Sequence, residues 1–149
     1  MQLLNQIHMV NISVTNAPIL ILLVFFAITF IQSGIDKLLN TQGNMDWFKS
    51  QYKETFLNSI IVPSFWLITI QEIIAGFSAL AVFFMILFNL SLSYILFYVF
   101  VFQALVLLQL FFGQRIAKDY VGASGIVPYL ITSILAHFYL LNFHTVLFK

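Results

Sequence analysis

The run from Trp66 to Phe88, WLITIQEIIAGFSALAVFFMILF, is almost wholly apolar. About 20 apolar residues cross the ~30 Å hydrocarbon core of a bilayer, and this run meets that length. It nevertheless carries Gln71 and Glu72 inside its first half. An ionisable side chain at mid-helix costs roughly 2.5 to 3.5 kcal/mol on insertion scales, so it faces other helices and marks a functional site by default. The rest of the chain supplies the surroundings of Glu72.

Composition agrees with a membrane protein. Of 149 residues, 62% are hydrophobic and 7% charged, far below the roughly 25% charge of a soluble domain. The length suits one membrane domain, residues 1–149, with spans at about 17–37, 64–88, 92–112 and 126–143. The formal net charge of +1, without a basic block, gives nucleic-acid binding no support. There is no cysteine, so the chain itself can run no thiol exchange and can hold no iron–sulfur cluster.

Upstream of the decisive run, the N-terminus lacks the positive region and cleavage site of a secretory signal, so the first apolar segment is expected to remain as a span. Asn16 and Pro18 open that span, which stays apolar until Thr29, Gln32 and Ser33; Gly34, Asp36 and Lys37 follow at the interface. In the connector, Asn44 is an expected N-cap, after which Phe48, Tyr52, Phe56 and Ile60 recur every four residues. That spacing predicts an amphipathic helix lying in the membrane interface, with Trp47 and Tyr52 at headgroup depth. A connector packed on the helix ends is the plainer alternative.

Downstream, Asn89 to Ser91 is expected to turn tightly, making the second and third spans antiparallel neighbours. Gly113 to Asp119 reads as a polar turn, and Pro128 is expected in the first turn of the fourth span. Tyr129, Ser133 and His137 then form a polar stripe on one helix face. Lys37, Lys49, Lys53, Arg115 and Lys118 fall on one side of the membrane and Lys149 on the other, which predicts both termini outside the cytoplasm.

A rise of ~1.5 Å per residue puts Glu72 roughly 10 to 12 Å below the boundary, with Thr29, Gln103 and Ser133 near the same level. Gln32, Lys37, Tyr129 and Gln109 fall between that level and the boundary. This layer permits a buried pocket with Glu72 as its acid and Gln103, Gln32, Tyr129, Ser133 and Lys37 as further ligand contacts. Lys37 can reach Glu72 by bending along the membrane normal, but the sequence leaves open whether they pair. Polar side chains that merely join helices are the competing reading. His137 and His144 are seven residues apart without a carboxylate or thiolate at ligand spacing, so no metal site is expected. A serine four residues before a histidine, as in Ser133 and His137, is not enough for nucleophilic catalysis.

The motif Ser33-Gly34-Ile35-Asp36-Lys37-Leu38, then Phe48 and Pro63, then Glu72-Ile73-Ile74-Ala75-Gly76 resembles the DoxX family of small four-helix bacterial membrane proteins over roughly residues 20–112. The ending Asn142 to Lys149 departs from that family's glycine-proline turn. The resemblance implies an all-α integral membrane four-helix bundle in the bacterial inner membrane, and it directs attention to Gly34, Lys37, Glu72 and Gly76. Small residues such as Gly34, Ala75, Gly76 and Ala79 suit close helix packing.

The functional expectation is a small membrane subunit that binds quinone or a similar apolar redox partner and docks a separate oxidoreductase. The alternative is a non-catalytic assembly subunit of a larger membrane complex or a homo-oligomer. Neither a haem nor another metal cofactor is expected. A solute pathway ranks last, because the outer halves of the first two spans are almost wholly apolar.

Overall fold

In the computed structural model, residues 17–88, 90 and 94–147 are described, with side chains to residue 140. Asn16, Asn89, Ser91, His144 and Lys149, which the sequence reading used, lie outside these residues or side chains. Five α-helices account for nearly all of the described chain: α1 (Ala17–Leu39), α2 (Thr41–Gln51), α3 (Ile61–Leu87), α4 (Ile95–Ile116) and α5 (Tyr120–Leu147). A short 3-10 helix, Phe56–Ile60, leads into α3. Four of these helices are long and apolar enough to cross a membrane. The protein is a multi-pass membrane helical bundle whose outer surface contacts lipid.

Helix α1 packs along α3, and α4 along α5, while α3 joins the two pairs by packing on α4. Phe26, Phe30, Phe65, Phe100, Leu23 and Leu96 are wholly or almost wholly buried. Phe26 of α1 meets Phe100 of α4 edge to face at 5.9 Å, closing the centre across the two pairs. Exposed Ile21, Ile28, Leu67, Phe77, Leu105 and Phe138 cover the outside, where lipid replaces water.

The connector differs from its expected form. Asn40, not Asn44, caps α2, its side chain accepting from the Gly43 amide at 3.2 Å. Asn44 instead lies inside α2 and donates to the carbonyls of Asp36 and Asn40, tying α2 to the end of α1. The four-residue repeat breaks at Tyr52, where α2 ends, so Phe56 and Ile60 stand exposed. Phe48 packs edge to face on Phe65 at 5.3 Å, and the buried Tyr52 phenol lies against Gly113 of α4. Burial, and then the negative charge of Asp119, pushes the Tyr52 phenol above its usual pKa of 10.0.

The third span runs past Phe112 to Ile116 and the fourth starts well before Ile126, leaving only Ala117 to Asp119 between α4 and α5. The Lys118 amide donates to Arg115 and the Asp119 amide to Gln114, a pairing that closes the helix C-terminus with Lys118 at φ 59°. Glycine usually occupies such a position, and a lysine there costs about 1–2 kcal/mol. Asp119 then caps α5 by accepting from the Gly122 amide at 2.8 Å. Early capping puts Gly122, Ser124 and Gly125 within α5, and Pro128 inside the helix instead of in its first turn. A proline there removes one intrahelical hydrogen-bond donor.

Candidate functional site: a closed ion pair beside an open polar pair

Glu72 stands twelve residues into α3, on the face that meets α1, and is 1% exposed. Lys37 occupies the last turn of α1, from which its ammonium reaches inward. The Nζ donates to Glu72 Oε2 at 2.8 Å, Glu72 Oε1 at 3.1 Å and Ser33 Oγ at 2.9 Å, with a longer contact to the Ser33 carbonyl. Ser33 Oγ in turn donates to Glu72 Oε1 at 2.9 Å. An ammonium has three protons to give, and all three have acceptors within this cluster. The open question of the sequence is thereby answered: the two charges meet and satisfy one another.

Ser33 is the member of this cluster that the sequence reading passes over as a site residue. Its signal is the spacing to Lys37, one helical turn on the same face of α1. Two glycines bring the helices close enough for the contact. A Cβ on Gly76 would come within 2.5 Å of Ile31 Cγ1 and 2.7 Å of its backbone nitrogen, and a Cβ on Gly34 within 2.6 Å of Ile73 Cγ1. These reciprocal approaches flank the ion pair on both helices.

The other expected ligand contacts do not join this cluster. Gln32 is exposed on the opposite side of α1 from the buried Gly34. Tyr129 stacks on Phe25 with centroids 5.6 Å apart, and Phe25 is two turns of α1 away from Ser33. Gln109 is exposed on α4. Gln103 is fully buried, and its Nε2 donates to the Ala75 carbonyl at 3.2 Å, about one turn from Glu72.

A second arrangement of buried polar groups comes from Gln103 of α4, which also bonds α3, and Ser133 of α5. Both are fully buried, and neither Gln103 Oε1 nor Ser133 Oγ has a hydrogen-bond partner. Their common level follows from the neighbouring turn, where the rings of Phe100 and His137 lie 6.2 Å apart. Gln103 follows Phe100 by three residues and Ser133 precedes His137 by four, so both sit one turn nearer the α4–α5 connection. His137 Nδ1 is 2.8 Å from the Ser133 carbonyl. A carbonyl can only accept, so Nδ1 is the donor in this hydrogen bond. Phe97 and Phe100 flank the imidazole.

Chemically, the first cluster is a neutralised and satisfied ion pair, whereas in the second an amide oxygen and a hydroxyl are buried near aromatic rings without a partner in the protein. A buried polar atom without a partner costs about 1–3 kcal/mol, so the second arrangement gains from any group that supplies one. Among the described residues, no three His, Asp or Glu side chains come together in a form that could hold a metal ion. No protein-family model, curated protein or solved structure matches this chain.

Proposed function

We propose that the protein is a DoxX-like, non-catalytic membrane subunit that assembles laterally with a larger membrane partner in the bacterial inner membrane. The observation that carries this reading is the closed Lys37–Ser33–Glu72 cluster. Its charges are already spent on each other, so its role is to hold α1 on α3 as a rigid half. Helix α5 is the least buried of the four spans, and it offers Ile131, Ile134, Leu135 and Phe138 to a neighbouring helix or to lipid. The lysine and arginine bias favours an orientation with both termini outside the cytoplasm.

A second reading, the redox subunit that binds quinone, draws its support from the unpartnered Gln103 Oε1 and Ser133 Oγ. The Ser133 hydroxyl can donate to a ring carbonyl, and Phe100 and His137 provide aromatic contact. In this reading the ligand sits on the α4–α5 side, with Glu72 and Lys37 serving structure.

Gentle extraction followed by mass spectrometry of both proteins and lipid-soluble cofactors separates the two. Assembly predicts a stoichiometric larger membrane protein that is lost when Ile134 and Phe138 are changed to alanine. A monomer with no partner overturns it. A stoichiometric quinone lost in Ser133→Val and retained in Lys37→Met would put the redox reading first.

A further inference from the structure

We propose that the cleft between the α2–α3 connection and the α4–α5 turn binds the phosphate headgroup of an anionic phospholipid through Lys53 and Lys118. The cleft encloses about 510 Å³, and its walls include Ser50, Lys53, Glu54, Phe56, Ile116 and Lys118. The two lysines come from segments more than sixty residues apart in sequence, and both are exposed. Among the described residues the only salt bridge is Lys37 to Glu72, so neither cleft lysine is neutralised by a carboxylate. Glu54 is the single acid in the lining, leaving the cleft with an excess positive charge.

The backbone supplies an independent sign. Lys118 adopts φ 59° at a position where glycine would close the same turn without strain. Residues in sparsely populated backbone conformations cluster at functional sites, and this side chain stands in the cleft wall.

Depth and hydrophobicity select the lipid over a soluble anion. Ile116 is the last residue of α4, so the cleft lies where a span leaves the hydrocarbon. Phe56, 72% exposed, forms an apolar wall beside the cations. A phospholipid uses both features, with its phosphate on Lys53 and Lys118 and its acyl chains running past Phe56 along the apolar outside of the bundle. A soluble phosphate has no use for the apolar wall.

The test is native mass spectrometry of the detergent-solubilised full chain titrated with phosphatidylglycerol, with phosphatidylcholine and glycerol phosphate as separate arms. Phosphatidylglycerol is expected to bind one per chain, with both other arms much weaker. Since a juxtamembrane lysine contributes about fivefold to binding an anionic membrane, Lys53→Gln with Lys118→Gln should weaken it roughly thirtyfold. Lys49→Gln, an exposed lysine of α2 outside the cleft, should leave affinity within about twofold. Lys118→Gly separates binding from folding, because it removes the cation while relaxing the turn. That variant should lose about fivefold in lipid affinity at an unchanged or higher melting temperature. Equal binding of phosphatidylcholine, glycerol phosphate binding as tightly as the lipid, or a loss in Lys49→Gln equal to that in the cleft variants overturns the proposal.

Discussion

The α1–α3 and α4–α5 interfaces bury polar groups about one helical turn apart in depth, yet they treat them in opposite ways. Between α1 and α3, Lys37, Ser33 and Glu72 satisfy one another, and Gly34 and Gly76 let the two backbones approach around them. On α4 and α5, Gln103 Oε1 and Ser133 Oγ are equally buried but have no partner within the protein, and a proline interrupts the hydrogen bonding of α5. Burying a polar group therefore says little by itself about function. What separates the two is whether every donor and acceptor already has a mate within the protein.

The largest effect is expected at Glu72. Glu72→Leu removes the partner of a mostly buried ammonium, and we expect a loss of about 3 kcal/mol in a reconstituted unfolding assay. Adding Lys37→Met should restore most of that loss. No recovery in the double variant would show that the pair is more than a fastening. The glycines sharpen the same interface. Gly76→Ala drives a methyl toward the backbone of Ile31 and should cost about 1–3 kcal/mol. Gly34→Ala meets chiefly the movable Ile73 side chain and should cost less; melting temperatures of the two variants in one detergent would check the order. A smaller effect is expected at Tyr52, which links the connector to the α4–α5 side. Its pKa is raised in the folded protein, so its contribution is whole below the usual value of 10.0 and is lost as pH climbs through the folded value. Tyr52→Phe should flatten that alkaline decline in a pH series of unfolding midpoints.

Much of this architecture is legible in the amino-acid sequence, because length and apolarity alone mark the four spans. Glu72 stands out for the same reason, as the acid in an apolar helix. The ends of the helices are harder to read, since capping depends on single side chains: Asn40 captures the cap expected of Asn44, and Asp119 starts α5 well before Ile126. Facing is harder still. Rise per residue brings Gln32 and Tyr129 to plausible depths, but rotation about the helix axis turns Gln32 outward and Tyr129 onto Phe25. Ser33 joins the ion pair because it shares a face with Lys37, a relation visible only when rotation is counted with depth.

The two serines can be compared side by side through the unfolding free energies of Ser33→Ala and Ser133→Ala in the same lipid nanodiscs. A loss is expected only at Ser33. Ser33→Ala should lose about 1 kcal/mol, because its hydroxyl bridges Lys37 and Glu72. Ser133→Ala should be neutral or gain up to about 1 kcal/mol, because its hydroxyl is buried without a partner. Equal losses at both serines would contradict it, showing that the α4–α5 pair is as closed as the α1–α3 cluster.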